Sequence, residues 1–264
     1  MSKLQGLFFG LATATLVVLA TFFFTKTWLP PLKSDRSAID DALWLSLIVT
    51  GTVFIVVNLL LAWVAFRYQD APGARAGYWH DDHRLEWTWT LATAAVMFFF
   101  LFKALNLWAN VTSAAPADAF VVEVTGQQFA WNIRYPGPDG VFGRTDVRQV
   151  NPSEFNFIGL DRSDPAAKDD VMVQNQLVLP EGRPVRIRLR SIDVIHSFFL
   201  PNFRVKQDAM PGMTTETWFV PKVAGEYEIA CAEHCGLGHY RMRGALAFVP
   251  PSEVDARIKE TAGQ

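Results

Sequence analysis

The sequence predicts apolar helices that cross a membrane, followed by a soluble all-β domain with a sandwich or barrel fold. Half of the 264 residues are hydrophobic, and long uncharged runs lie within residues 1–110. After Pro116 the pattern changes to short alternating segments separated by Gly and Pro, which is typical of β-sandwiches and barrels. We therefore expect an N-terminal membrane anchor and a C-terminal soluble domain.

The membrane part is predicted from three apolar runs. Leu4–Thr25 and Ala42–Phe66 contain no charged residue, and each is about long enough to cross a hydrocarbon core of roughly 30 Å. A third run, Trp87–Phe102, is followed by Lys103, whose side chain can reach the membrane surface from near a helix end. Because three such runs follow one another, core helices of a soluble protein are disfavoured. We expect a transmembrane helical hairpin over residues 39–110.

Residues 1–28 have two interpretations, a signal peptide or an extra transmembrane helix. Lys3 and the apolar segment after it suit a signal peptide. The segment is longer than a typical signal-peptide core, however, and no small-x-small cleavage site follows it. These two features favour a retained helix. Basic residues are balanced between the loops on either side of the second run, so they do not predict the orientation.

The clearest strand of the soluble domain is Arg183–Ser191, where apolar residues alternate with arginines. We interpret the resulting basic face as solvated, with contact to lipid headgroups or a partner subunit as the alternative. A short closing helix is expected over Glu253–Glu260, capped by Ser252. Further strands are predicted at Val121–Val124, Gln128–Tyr135, Thr214–Val220, Glu226–Ala230 and Ala245–Val249.

Charge and cysteine content narrow the functional classes. The formal net charge of −2 shows no basic footprint for nucleic acid, so we expect no nucleic-acid partner. The two cysteines, Cys231 and Cys235, are too few for a disulfide framework. They form a single disulfide or bind a metal.

Side chains suited to a metal surround these cysteines. With His196, the segment Cys231–Met242 offers two thiolates, two imidazoles and a thioether, a soft set that suits copper. A single blue-copper ion needs one Cys, so a second Cys four residues away indicates two metals that share both thiolates. A disulfide and a structural zinc site stay as alternatives, although zinc usually takes Cys-x₂-Cys spacing and has no use for Met242. His234 is expected to point away from the metal.

The pattern His…Cys-x-Glu-x-Cys-x₃-His-x₂-Met resembles the copper A motif of cytochrome c oxidase subunit II. The resemblance covers most of the chain and implies a two-helix membrane hairpin, then a cupredoxin-like domain over residues 117–250. Residues 251–264 form a short C-terminal helix or tail. In such a protein the domain faces the periplasm of a bacterium and the chain is a multi-pass protein of the inner membrane.

The resemblance implies the role of each ligand. Cys231 and Cys235 would bridge two coppers, and His196 and His239 would bind one copper each. Met242 would be a weak axial ligand. The backbone carbonyl of Glu233 would be the other weak ligand, and its side chain would reach a magnesium site at the boundary with the catalytic subunit. A solvated loop carboxylate is the alternative for Glu233.

Outside the motif, the resemblance marks residues for electron and proton transfer. Glu86 resembles a carboxylate near the mouth of a proton pathway, although a helix-dipole contact explains its position equally. Where the family usually has Gln-Trp-x-Trp, this chain has Phe129 in place of the first Trp, where electrons enter, and Trp131 in place of the second. Phe129 is therefore a candidate docking residue for the donor, with a core-facing strand position as the alternative.

The implied function is electron relay. Cytochrome c would donate electrons to the dinuclear copper A centre, which would pass them to haem in subunit I for oxygen reduction coupled to proton pumping. Partners would be subunit I, other oxidase subunits, cytochrome c and membrane lipid. The alternative is the electron-accepting subunit of a copper-A nitric oxide reductase. Weak steering of the donor is expected from acidic patches at Asp169–Asp170, Asp193 and Glu226/Glu228.

Overall fold

The computed structural model describes residues 3–25, 29–68, 72–73, 75 and 77–263. The chain divides into two compact units. One comprises Met1–Pro30 and Ala38–Asn110, and the other comprises Pro31–Ser37 and Val111–Gln264.

The first unit is helical. Helix α1 spans Lys3–Thr25, α2 spans Ser37–Arg67 and α3 spans His83–Val111. Among the described residues, α2 and α3 are the helices long and apolar enough to cross a membrane, and neither contains a buried residue. A helix that is apolar on every side is stable only when lipid or other protein covers it, which agrees with the predicted hairpin. Within α1 the described side chains form a shorter apolar segment, Gly10–Phe22, and residues 26–28 lie outside the described part.

The second unit is a β-sandwich. Its strands are β1 Phe120–Gln127, β2 Ala130–Tyr135, β3 Val171–Gln174, β4 Gln176–Pro180, β5 Val185–Ser191, β6 His196–Leu200, β7 Val205–Ala209, β8 Thr215–Phe219, β9 Gly225–Cys231 and β10 Arg243–Val249. Among the described residues they form two five-stranded sheets, with strand orders β3-β2-β1-β5-β8 and β4-β10-β9-β6-β7. Strands β1 and β5 pair in parallel, as do β4 and β10.

The core fills the space between the sheets. Along β5 the burial alternates strictly, and the apolar residues of its inner face are fully buried. Phe203 lies in an aromatic cluster, with its ring centroid 4.7 Å from that of Phe248 and 4.9 Å from that of Tyr227. Alternating apolar residues thus produce one buried face per strand, as the sequence predicts. The predicted fold, apolar helices followed by a β-sandwich, is confirmed.

A segment before α2 belongs to the β-domain. The hydroxyl of Ser34 is buried and donates to the carbonyl of Phe203 at 2.8 Å. The backbone of Lys33 bonds to Asn202 and Lys222. Residues 31–37 therefore complete the domain by a strand-like contact that the local sequence pattern does not show.

The β2–β3 loop (residues 136–170) folds back over the outer face of the first sheet. Arg134, on β2, forms ion pairs with Glu123 at 2.6 Å and Asp170 at 3.1 Å, and all three side chains are buried. Arg190 lies 3.7 Å from the same Glu123 carboxylate. Phe142 covers Arg134, with the guanidinium 4.9 Å from the ring centroid. The arginine face of β5 is thus partly covered by this loop and not fully solvated.

Two local predictions are wrong. Strand β2 begins at Ala130 and not at Gln128, because Gln128 and Phe129 form the turn between the paired residues Gln127 and Ala130. The last helix, α4, spans Val254–Ala262, and Ser252 does not cap it because residues 251–253 form a 3₁₀ turn.

Candidate metal centre

The candidate sulfur and imidazole ligands converge because three neighbouring strands of the second sheet position them. Cys231 ends β9 and Met242 directly precedes β10, so the residues between them form a connecting loop, here called the ligand loop (Cys231–Met242). His196 begins β6, which pairs with β9 through Phe198 and Cys231. A histidine distant in sequence is therefore placed beside the loop by strand pairing.

Distances within this group are short. The Sγ atoms of Cys231 and Cys235 are 3.9 Å apart. Nδ1 of His196 lies 4.0 Å from the Cys231 sulfur, and Nδ1 of His239 lies 3.7 Å from the Cys235 sulfur. The Met242 sulfur is 3.7 Å from that of Cys235. The Nδ1 atom of each imidazole thus points toward a different thiol, and the Met242 thioether points toward the Cys235 thiol.

Both cysteines are free thiols. A disulfide has an S–S distance of about 2.05 Å, so a separation of 3.9 Å leaves room for an atom between the sulfurs. The single disulfide considered from the sequence is not formed. The oxygen-poor set of two thiols, two imidazoles and a thioether suits a soft metal such as copper.

The electrostatics of the thiols also fit a cation. Burial opposes ionisation of Cys231, but hydrogen bonds from His196 and nearby backbone groups outweigh it and lower the pKa of Cys231 to about 6. Burial and the neighbouring Cys231 thiolate raise the pKa of Cys235 to about 11. Two thiolates this close repel each other, and a bound cation removes the repulsion by interacting with both. The residues present therefore fit a soft metal cation such as copper.

Glu233 and His234 face outward from the ligand loop. The side chain of Glu233 is exposed, while its backbone carbonyl accepts a hydrogen bond from the Cys231 thiol at 3.2 Å. The imidazole of His234 is exposed, and its ring centroid is 5.5 Å from that of His239. The loop thus turns a carbonyl, not the carboxylate, toward the thiol.

Asp193 holds His196 in position. Its carboxylate is 2.8 Å from Nε2 of His196 and accepts backbone N–H groups from Gln128 and Val194 at 2.7 Å. Burial opposes ionisation, but these hydrogen bonds lower the pKa of Asp193 below its ordinary value. With Nε2–H donated to Asp193, Nδ1 of His196 is left as the acceptor that a metal needs. Asp193 was also expected in a steering patch for the donor, and that role stays a prediction. The signal in the sequence was a carboxylate three residues before a ligand histidine.

Asp193→Ala is expected to weaken metal binding about 10–100-fold, the usual cost of losing a residue that orients a ligand histidine. The fold should persist because the carboxylate lies at a loop. Copper competition titration of the full chain measures the effect. Asp193→Asn keeps an acceptor for Nε2–H and should lose less. If both variants bind copper as the parent does, Asp193 does not orient His196.

Phe129, in the β1–β2 turn, packs against the ligand loop. A Cβ added to Gly238 would come within 2.4 Å of the Phe129 ring, and one added to Gly236 would come within 3.2 Å. Phe129 is half-buried, and the neighbouring Gln128 side chain donates to the carbonyl of Cys235 at 2.5 Å. The β1–β2 turn thus packs against the two glycines of the ligand loop, which have no side chains.

Trp131 and Glu86 lie outside the ligand loop. Trp131 is fully buried, with its ring centroid 5.9 Å from that of His196 and 5.6 Å from that of Phe198. Glu86 lies in the first turn of α3, in the helical unit, and its carboxylate is 3.2 Å from Nδ1 of His83. Trp131 therefore packs behind a candidate ligand, and Glu86 is close to the start of a candidate membrane helix.

Comparison with known proteins identifies the family. The family model for the periplasmic domain of cytochrome C oxidase subunit II matches residues 120–249. The alternative cytochrome c oxidase subunit 2 of Bradyrhizobium diazoefficiens is 38% identical over 238 residues, which cover 90% of this chain and 85% of the relative. Cytochrome c oxidase subunit 2 of Cereibacter sphaeroides is 25% identical over 228 residues, which cover 82% of this chain and 74% of the relative.

Among solved structures, the periplasmic domain of cytochrome oxidase subunit II from Bradyrhizobium japonicum is 29% identical. It matches 57% of this chain and 98% of that chain, with a TM-score of 0.41. The sequence matches span both the apolar helices and the β-sandwich, so they agree with the cupredoxin-like fold expected from the ligand motif. From the identity and coverage of the Bradyrhizobium diazoefficiens relative, this chain belongs to the cytochrome c oxidase subunit II family.

Proposed function

We propose that this chain accepts electrons from cytochrome c at a dinuclear copper A centre and relays them to haem in subunit I of the oxidase. Oxygen reduction, coupled to proton pumping, would take place in subunit I. The observation that supports this proposal is the convergence of two free thiols, two imidazole Nδ1 atoms and a thioether, with successive ligand atoms 3.7–4.0 Å apart.

The proposed ligands have distinct tasks. Cys231 and Cys235 would each contact both metals, and His196 and His239 would each hold one. Met242 and the carbonyl of Glu233 would be weak ligands that adjust the potential. When bound, a copper pair supplies a site that gains and loses one electron with little change in geometry. The surrounding residues exclude water, since Cys235 and Met242 are buried.

A magnesium ion at the boundary with subunit I is proposed through the side chain of Glu233. Its exposed carboxylate is a hard oxygen ligand, of the type that magnesium prefers. A partner subunit would have to provide the other ligands. Magnesium content of the purified oxidase, compared between the parent and Glu233→Gln, tests this assignment.

The proposed location is the inner membrane of a bacterium, with the β-domain in the periplasm and the chain multi-pass. The two apolar helices α2 and α3 support this proposal. The segment 1–28 is proposed as a further membrane helix or a signal peptide. The hairpin 39–110, the copper domain 117–250 and the tail 251–264 complete the proposed domain division.

The donor is proposed to dock on an apolar surface around the ligand loop. Leu237 is 97% exposed and Tyr240 is 77% exposed, and Val194 and Ile195 are exposed beside His196. Exposed apolar groups next to a buried site favour contact with a partner. Phe129 lies against the same loop. The proposed steering by Asp170 is weakened, because its carboxylate is buried in an ion pair with Arg134.

Phe129→Ala is expected to slow electron transfer from cytochrome c on the order of tenfold, the cost of truncating an aromatic anchor at an interface. Its ring covers Gly236 and Gly238, so the variant also exposes loop backbone to water. Stopped-flow reduction by cytochrome c measures the rate. Phe155→Ala, which removes an exposed ring from the β2–β3 loop, serves as the control. An unchanged rate in Phe129→Ala with an intact metal spectrum would show that electrons enter elsewhere.

Glu86 keeps two proposed roles, the mouth of a proton pathway and a partner of the α3 dipole. Glu86→Gln retains the size of the side chain and removes its exchangeable proton. Slower oxygen turnover in this variant, with an unchanged metal spectrum, would favour the pathway. Unchanged oxygen turnover from about pH 6 to about pH 8 would instead support the role of Glu86 as a partner of the α3 helix dipole.

The proposed function is tested by assaying the complex that co-purifies with this chain. With reduced cytochrome c as donor, we expect sustained consumption of oxygen. A preparation that consumes nitric oxide rapidly and oxygen only slowly would instead identify a nitric oxide reductase. Neither activity, despite a complete copper content, would contradict the proposed electron relay.

A further inference from the structure

The segment Cys235–Gly238 of the ligand loop has little backbone restraint of its own. Two of its four residues are glycines, and glycine has more conformational freedom than any other residue. Gly236 has a φ of +133°, a conformation that other residues rarely adopt. Leu237 is 97% exposed, so its side chain does not anchor the segment to the domain. The position of Cys235 therefore depends on contacts from outside this segment.

The backbone hydrogen bonds of this segment stay within the ligand loop, with one exception. The carbonyls of Gly236 and Gly238 accept N–H groups from the short 3₁₀ turn that follows, both at 3.1 Å. The exception is the carbonyl of Cys235, which accepts a hydrogen bond from the side-chain amide of Gln128 at 2.5 Å. Among the described residues, this is the hydrogen bond that joins the segment to the rest of the β-domain.

Gln128 is itself held in place. It belongs to the two-residue turn that closes the β1–β2 hairpin, and its backbone N–H donates to the carboxylate of Asp193 at 2.7 Å. The same carboxylate lies 2.8 Å from Nε2 of His196. Gln128 thus joins the backbone of Cys235 to the group that orients His196.

Glycines let the turn come this close to both candidate ligands. A Cβ added to Gly236 would come within 2.8 Å of the Gln128 amide nitrogen and would displace it. At the end of β1, a Cβ added to Gly126 would come within 2.7 Å of the His196 ring. Both glycines therefore leave the space that the contacts between the turn and the ligand residues require.

We propose that Gln128 is a positioning residue for Cys235, whose sulfur it keeps in place for bridging two metals. The proposal rests on the proposed copper centre but concerns a residue that is not itself a ligand. Gln128 acts through the backbone carbonyl of Cys235 and not through the sulfur. Groups that orient a ligand in this way tune a metal site without touching the metal. A bridging sulfur must lie at similar distances from both metals, so a small shift of its backbone makes the two metal sites unequal.

The test compares Gln128→Met with the parent in the purified complex that contains the full chain. Methionine has nearly the length of glutamine but no N–H donor, and Gln128 is exposed, so the domain should stay folded. We expect the copper affinity to fall about tenfold, the lower end of the usual cost of losing such a partner. We also expect the electron paramagnetic resonance spectrum to show unequal coupling to the two copper nuclei. A copper competition titration measures the affinity, and circular dichroism checks the fold.

Gln127→Met is the matched control at the neighbouring residue. It removes the hydrogen bond that the side-chain carbonyl of Gln127 accepts from the Asn132 amide at 3.1 Å, which does not involve the ligand loop. This variant should keep the copper affinity and the spectrum of the parent.

Each outcome decides the role of Gln128. A lower copper affinity or a changed spectrum in Gln128→Met alone supports the proposal. Parental affinity and spectrum in Gln128→Met overturn it and leave the electron relay untouched. Equal changes in both variants also overturn it, because they show a general loosening of the turn. A parent spectrum from a single copper nucleus contradicts the copper pair itself, and the copper affinities of the two variants then still decide whether Gln128 positions Cys235.

Discussion

Cys235→Ser is expected to abolish electron transfer from cytochrome c while the β-domain remains folded. The Cys235 sulfur lies within 4 Å of three other ligand atoms, those of Cys231, His239 and Met242. A serine hydroxyl is a hard, poorly ionised donor and cannot bridge two soft metals. The loss should exceed the roughly 10–100-fold cost of removing a group that only orients a ligand. Turnover with cytochrome c and the copper content of the purified complex measure the effect.

Met242→Leu is the matched comparison, since leucine fills the same buried volume without sulfur. It should retain copper and shift the redox potential upward, because a weak donor that favours the oxidised metal is lost. Similar small effects from the two substitutions would contradict the assignment of Cys235 as a bridging ligand. Circular dichroism establishes that each variant is folded.

Arg134→Met is expected to lower the free energy of unfolding by about 3–5 kcal/mol, the cost of breaking a buried ion pair on one side. Methionine preserves much of the apolar contact with Phe142 but leaves the buried carboxylates of Glu123 and Asp170 without their cation. Denaturant titration of the full chain in detergent measures the loss. As a control, Arg148→Met breaks an exposed ion pair with Asp146 and should leave the midpoint of the denaturant titration unchanged.

The pH dependence tests the cause of this loss. Burial raises the pKa of Asp170, against the opposing effects of the Gly143 N–H and Arg134. A carboxyl group with a raised folded-state pKa costs stability as pH rises, and that cost should grow when Arg134 is removed. The deficit of Arg134→Met should therefore shrink as the pH is lowered. A deficit that is independent of pH, and is not reduced by adding Asp170→Asn, would indicate lost packing instead of uncompensated charge.

Much of the fold follows from local sequence patterns. The uncharged runs predict α2 and α3 because only lipid or protein can cover such helices. The alternation in β5 predicts its buried face because successive side chains point to opposite sides of a strand. Boundaries were less predictable. Gln128 and Phe129 extend the alternation of polar and apolar residues seen in β2, yet they form the turn before it, since pairing of Gln127 with Ala130 closes the hairpin there.

The remaining features depend on contacts between distant residues. Asp170 looks like a surface acid in the sequence, but the β2–β3 loop brings it onto the outer face of the first sheet, where it pairs with Arg134. Ser34 lies beside a membrane run and packs against Phe203, far away in the chain. Asp193 could be noticed from its spacing to His196, although its contact with Gln128 required the fold. Local sequence patterns predict which residues are candidate ligands, and strand pairing brings those residues together.

Metal analysis of the full chain purified with copper tests the dinuclear centre most directly. The pair of free thiols predicts two coppers per chain and an electron paramagnetic resonance spectrum with one unpaired electron shared between two copper nuclei. One copper per chain with the spectrum of a single nucleus, or one zinc in place of copper, would contradict the proposed centre.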